Sequence, residues 1–225
     1  MTDRSPTTAP THLFLVRHGE TVWHADNRYA GGGSDIDLTE RGHRQAVSLA
    51  QWAGTEAFDA LVVSPVRRAQ ETAAPSAVAL GLEPIVVDDL REVDFGIAEG
   101  RTIGELRDLD SDMVHRFQSD PERHPFPGSE APETAAARAA STLRELAGRY
   151  AGGRILVVAH NTLLRLALCD LLGIPVARYR SLFPKLRNAA ITEISVPADG
   201  APASLLSLNT TPWATDAQNP QGATE

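Results

Sequence analysis

The chain has 225 residues, of which 42% are hydrophobic and 22% charged, the balance of a globular protein with a core of its own. Its net charge of −8 argues against a general nucleic-acid binder, and the absence of an uninterrupted apolar run of about 20 residues argues against a membrane span. Cys169 is the sole cysteine, which excludes an intrachain disulfide and any zinc site built on thiolates.

Residues 1–10 and 210–225 are rich in Thr, Pro, Ala, Asn and Gln and read as tails around one domain over 11–209. The start lacks the charged-then-apolar layout of a secretory signal, so a cytoplasmic protein is expected. Leu13, Phe14, Leu15 and Val16 predict a buried strand that ends on Arg17-His18 and opens into a turn at Gly19. Residues 39–53 predict an amphipathic helix capped by Thr39, with Ala46, Leu49, Ala50 and Ala53 facing inward.

A second strand over 59–63 leads into a helix over 65–80, with Pro65 in its first turn and Gly81 at its end. A third strand follows at 84–87. Residues 94–132 hold four prolines and only short helical patterns, and read as a cap-like insertion over the active face. An alanine-rich helix spans 132–150. The strand at 155–159 delivers His160, and a helix over 161–172 ends at Gly173.

Strands at 190–196 and 203–208 close the chain around Ala198-Asp199-Gly200, and Leu205 to Leu208 on an edge leave a homo-oligomer open. The alternation predicts an α/β fold, a mostly parallel central sheet with helices on both faces. Two strands that each deliver a histidine at the carboxyl end bring both imidazoles to the edge where open sheets bind ligands.

Five motifs follow one another: Arg17-His18-Gly19-Glu20-Thr21; Leu38-Thr39-Glu40-Arg41-Gly42-His43-Arg44-Gln45-Ala46; Ser64-Pro65-Val66-Arg67-Arg68-Ala69-Gln70-Glu71-Thr72-Ala73; Leu90-Arg91-Glu92-Val93-Asp94-Phe95-Gly96 with Glu99-Gly100; and Val158-Ala159-His160. In this order they resemble the histidine phosphatase superfamily, the phosphoglycerate-mutase-like family, over residues 12–196. The resemblance implies a three-layer sandwich and a phosphohistidine formed on His18. Arg17, Arg68 and His160 would hold the phosphoryl oxygens, and Glu92 would be the proton donor. His24, Arg28 and Asn161 would complete the phosphate and substrate rim. No metal and no cofactor are implied, and the expected partner is a small phosphorylated metabolite rather than a nucleic acid or a membrane.

The chemistry suits these residue types. A phosphate monoester carries its charge on non-bridging oxygens, and catalysis is mostly positioning and electrostatic stabilisation of them. Arginine stays charged and binds two oxygens at once. Neutral imidazole is a competent nucleophile near pH 7. Glu92 must be protonated to assist the leaving alkoxide, so a raised pKa from partial burial is expected; Asp94 and Glu99 compete for that role. Backbone N–H groups from Asn161 onward would add to the anion site.

Blander readings apply elsewhere. Arg67 reads as a solvated neighbour, Glu40 and Arg44 as a surface i,i+4 pair, and His12, His43, His115 and His124 as structural or exposed. The match also departs from the family's usual pattern. His24 stands where asparagine is usual, Ala30 where glutamine is frequent, Asn161 where glycine is common and Asp37 where proline is.

Three functions remain open: a monoester phosphatase, a phosphoglycerate mutase, and a non-catalytic phosphate-binding module. The segment between Asp108 and Pro132 is acidic, with Arg116 and Arg123 as its only arginines. Few cations are available there for a second phosphate, which favours hydrolysis over transfer between hydroxyls. His115, Arg116 and Arg123 are candidate substrate contacts.

Overall fold

The computed structural model describes residues 9–212. A six-stranded sheet has the order β3-β2-β4-β1-β5-β6, from β1 (Thr11–Arg17), β2 (Ala60–Val63), β3 (Ile85–Val86), β4 (Arg154–Ala159), β5 (Ile191–Val196) and β6 (Ser204–Thr210). The pairings β1·β4, β2·β4 and β2·β3 are parallel, while β5 and β6 close one side antiparallel.

The helices are α1 (Glu40–Ala53), α2 (Arg67–Leu80), α3 (Ile103–Leu109), α4 (Ser111–Ser119), α5 (Pro132–Arg149), α6 (Asn161–Leu171) and α7 (Tyr179–Leu182). Strand alternation divides the core into two layers. Phe14 and Val16 pack with Leu61, Leu156 and Val158 against Leu49, Ala53, Ala69 and Ala73 of α1 and α2. Leu13, Leu15, Val62, Ile155 and Val157 face the opposite way, against Ala136, Ala140, Leu143, Leu164 and Leu168 of α5 and α6. The result is the expected α/β sheet with helices on both faces.

Local signals explain most boundaries. The Thr39 hydroxyl accepts the Gly42 N–H at 3.0 Å, capping α1. Gly81 ends α2 in the left-handed conformation at φ 64°. Three boundaries differ from expectation. Pro65 lies outside α2, which starts at Arg67 because Val66 is still extended. β3 holds only Ile85 and Val86, since it pairs with just the end of β2. β6 runs on to Thr210, opposite Ile191, so the expected C-terminal tail cannot begin at 210. The rest of that tail, residues 213–225, and residues 1–8 of the N-terminal one lie outside the described residues.

Residues 94–132 carry α3 and α4, whose Leu106, Met113, Val114 and Phe117 join the same core layer as α5 and α6. The Asp110 carboxylate caps α4 through the Met113 N–H at 2.9 Å. β6 forms an edge with Leu205, Leu206 and Leu208 exposed. No helix among the described residues is long and apolar enough to cross a membrane.

Candidate active site

β1 and β4 lie side by side with Arg17 opposite Ala159. The residues just beyond, His18 and His160, therefore leave the sheet together. Their rings sit 5.2 Å apart, centroid to centroid, and both side chains are buried.

The His18 Nδ1–H donates to the Gly19 carbonyl at 2.7 Å. A carbonyl only accepts, so this contact fixes the tautomer and leaves the lone pair on Nε2. Arg68 Nε–H donates to that nitrogen at 3.3 Å. Burial first, then the Arg68 guanidinium and His160, hold the His18 pKa well below the usual imidazole range, so the ring is neutral and nucleophilic at neutral pH.

Arg68 is fully buried on the first turn of α2. Its terminal nitrogens donate to the carbonyls of Ser34, Ala30 and Gly31 at 2.9, 3.1 and 3.0 Å. Arg17, at the end of β1, donates to the Leu186 carbonyl at 2.8 Å and to His24 Nε2, while its Nε is buried without a protein partner. His24 is kept neutral by burial and by Arg17, with a pKa lowered to about 3. His160 Nε2 lies 2.7 Å from the Ser64 hydroxyl, and its Nδ1 is buried with no partner.

Glu92 is fully buried rather than partly so, 4% exposed. Burial raises its pKa, against the opposing pull of three backbone N–H donors. Those donors are Val93 at 2.9 Å, Thr162 at 3.0 Å and Leu163 at 2.8 Å. The α6 N–H groups of Thr162 and Leu163, expected to face the phosphate, thus serve the acid instead. Arg138 of α5 pins the turn that presents Glu92: it pairs with Glu130 at 2.6 Å and donates to the Asp89 and Arg91 carbonyls.

The competing acids are otherwise engaged. Asp94 is exposed and accepts the Gly96 N–H. Glu99 accepts from Gly31 N and Ser34 Oγ at 3.0 and 2.7 Å.

The structure brings His18, Arg17, Arg68, Glu92, His160 and His24 together. Asn161 adjoins them, its Oδ1 accepting the Leu186 N–H at 3.1 Å, beside the carbonyl that holds Arg17. Arg28 is not brought in: it pairs with Glu105 at 2.9 Å and donates to the Gly100 carbonyl. His115, Arg116 and Arg123 are exposed, and Arg67 is tied to Asp37 and Glu71 on the surface. Glu40 and Arg44 form the surface pair.

Sequence reasoning passed over several supports. Ser64 and Thr72 lie inside a quoted motif, and the Thr72 hydroxyl accepts the Gly19 N–H at 2.9 Å. Asn188, whose Nδ2 donates to the His18 carbonyl at 3.0 Å, carried no local signal at all.

Comparison with known proteins identifies the family. The chain is 34% identical over 169 residues to phosphoserine phosphatase 1 of Hydrogenobacter thermophilus, covering 75% of this chain and 80% of that one. It is 33% identical over 182 residues to a probable phosphoglycerate mutase GpmB of an Enterobacter species, covering 81% and 83%. A solved phosphoserine phosphatase from Entamoeba histolytica, in complex with 3-phosphoglyceric acid, superposes with a TM-score of 0.78 at 29% identity, covering 89% and 98%. The model of the histidine phosphatase superfamily (branch 1) matches residues 13–210, and the chain belongs to that superfamily.

Proposed function

We propose that the protein is a metal-independent phosphatase of small phosphate monoesters, acting through a phosphohistidine on His18. The observation that carries this reading is the fixed tautomer of His18, whose unprotonated Nε2 accepts a long hydrogen bond from the buried Arg68. Nε2 attacks phosphorus, and the bond to the leaving oxygen breaks as protonated Glu92 gives that oxygen its proton. Water then attacks phosphorus as the Glu92 carboxylate takes its proton; the phosphorus–nitrogen bond breaks, its electron pair returns to His18 Nε2, and inorganic phosphate leaves.

Arg17, Arg68 and His160 hold the non-bridging oxygens. The unpartnered Arg17 Nε and His160 Nδ1 are the donors free to do so, the latter because the Ser64 hydroxyl donates its hydrogen bond to His160 Nε2 and leaves the ring proton on Nδ1. His24 and Asn161 act at one remove, by holding Arg17 and the loop after α7. The surface ion pairs of Arg28 leave it a part in the loop packing instead.

The relatives carry both phosphatase and mutase names. Hydrolysis is favoured here because Arg116 and Arg123, the only arginines between Asp108 and Pro132, are exposed, as is His115, so that few cations are gathered there for a second phosphate. Incubation with p-nitrophenyl phosphate and with 3-phosphoglycerate separates the readings. Inorganic phosphate released from both is expected. Formation of 2-phosphoglycerate without release would establish a mutase, and binding without turnover a recognition module.

A further inference from the structure

β6 is not a regular strand. Between the pairs Ile191–Thr210 and Glu193–Ser207 it holds one residue more than β5, and Asn209 in that stretch is left-handed at φ 58°. A bulge of this kind bends the strand and re-aims a side chain. Here it turns the Asn209 carboxamide toward the loop between α7 and β5. Asn209 Oδ1 accepts the Arg187 N–H and its Nδ2 donates to the Lys185 carbonyl, both at 2.7 Å.

Those two groups belong to the peptide units on either side of Leu186. The remaining group of each unit is also engaged. The Leu186 N–H donates to Asn161 Oδ1 at 3.1 Å, and the Leu186 carbonyl accepts from a terminal nitrogen of Arg17 at 2.8 Å. The Leu186–Arg187 unit is thus held at its N–H by Asn209 and at its oxygen by Arg17. A peptide unit is planar and rigid, so fixing the N–H aims the oxygen. A guanidinium is planar too. The Leu186 oxygen and His24 together therefore fix the direction of the Arg17 Nε–H, which is buried without a protein partner.

Two more contacts tie the loop to the same strand end. The Ala189 N–H donates to the Arg17 carbonyl at 2.8 Å, and Asn188 Nδ2 donates to the His18 carbonyl at 3.0 Å. Ala189 is left-handed at φ 52°, a conformation that is costly with a Cβ and persists only where the surroundings impose it. The loop is a strained strap across Arg17 and His18, and Asn209 is its anchor on the sheet edge.

We propose that Asn209 is a positioning residue for phosphate binding: from the edge strand it aims the peptide that holds Arg17, and so sets the oxygen-binding geometry of a guanidinium to which it makes no bond. The proposal rests on the phosphatase reading, in which Arg17 holds a phosphoryl oxygen.

Asn209→Gly is the primary test, because glycine keeps the left-handed backbone and removes only the carboxamide. Its kcat/KM for p-nitrophenyl phosphate and its calorimetric affinity for inorganic phosphate should each fall by about tenfold or more, the scale of a misplaced binding group. Asn209→Asp still accepts from the Arg187 N–H but cannot donate to Lys185, and should fall between. In an Arg17→Ala background, where no guanidinium meets Leu186, Asn209→Gly should cost about twofold at most, while in an Arg68→Lys background its full cost should remain. Equal costs in the two backgrounds would mean a general loosening of the fold and overturn the proposal, as would unchanged kcat/KM and phosphate affinity in Asn209→Gly. If Asn209→Gly does not fold, Asn209→Asp is carried through the same cycle and the same outcomes decide. If wild type hydrolyses nothing, the phosphatase reading falls, while the phosphate affinities of the same variants still decide the role of Asn209.

Discussion

Glu99 and Gly31 meet where neither touches the reacting atoms: the Glu99 carboxylate accepts the Gly31 N–H at 3.0 Å, and the Gly31 carbonyl accepts from Arg68. A methyl group on Gly31 would lie 1.7 Å from Glu99 Oε1 and 2.6 Å from the Val93 carbonyl. Gly31→Ala should therefore destabilise the fold by about 1–3 kcal/mol and lower kcat/KM through a displaced Arg68. Urea unfolding and steady-state kinetics on one preparation check both effects; unchanged values would detach the loop from the site.

His18→Ala should abolish turnover, and mixing with labelled substrate, quenched in alkaline denaturant that spares the acid-labile phosphorus–nitrogen bond, should trap phosphorus on wild type alone. Arg68→Ala should cost at least the roughly 10²–10³ in kcat lost with one oxyanion donor, and more where the empty site leaves the carbonyls of Ala30, Gly31 and Ser34 unpaired. Either variant within tenfold of wild type would remove the assignment.

The raised Glu92 pKa has a directional consequence. The acid is needed protonated, so kcat/KM on an alkyl phosphate should fall as pH rises through the Glu92 value, which lies above the usual carboxylate range. p-Nitrophenyl phosphate has a leaving group that needs no proton, and should lack this limb. Glu92→Gln should accordingly lose 10²–10⁴-fold on alkyl phosphates, the usual worth of a positioned acid, and far less on the aryl ester. Parallel pH profiles on the two substrates decide the point, and equal losses would point to a structural role.

His24 links the site to stability. Its folded pKa of about 3 lies below the unfolded value near 6.5. Its neutral form thus supports the fold at neutral pH, and that support is lost as acid protonates the unfolded chain. Between pH 7 and pH 5 the loss is about 2 kcal/mol. The unfolding free energy of wild type should drop by about that much more than that of His24→Asn over the same interval, measured in urea.

The strands and long helices were legible because their signals are local: the run from Leu13 to Val16, the Thr39 cap, the glycine after Leu80. The nucleophile, the second histidine and Arg68 were legible because motif order ties each to the end or start of such an element. Supports made by the backbone were not. Nothing local announces that the carbonyls of Ala30 and Gly31 face Arg68, that Asn188 reaches back to residue 18, or that Arg28 turns to Glu105. The first turn of α6 misled for a related reason: helix N-termini attract acceptor oxygens of any kind, and here they belong to the protein's own Glu92 carboxyl.

The parallel ladder between β1 and β4 makes neighbours of residues as far apart in the chain as Arg17 and Ala159. A ribosome that has released only the first half of this protein has made the nucleophile, Arg68 and the acid, yet neither the strand that pairs with β1 nor the α6 N–H groups that hold Glu92. Phosphate affinity should therefore arrive abruptly during synthesis, once the strand ending at Ala159 has cleared the exit tunnel and slotted beside the first. Shorter amino-terminal fragments should remain inert toward the ester.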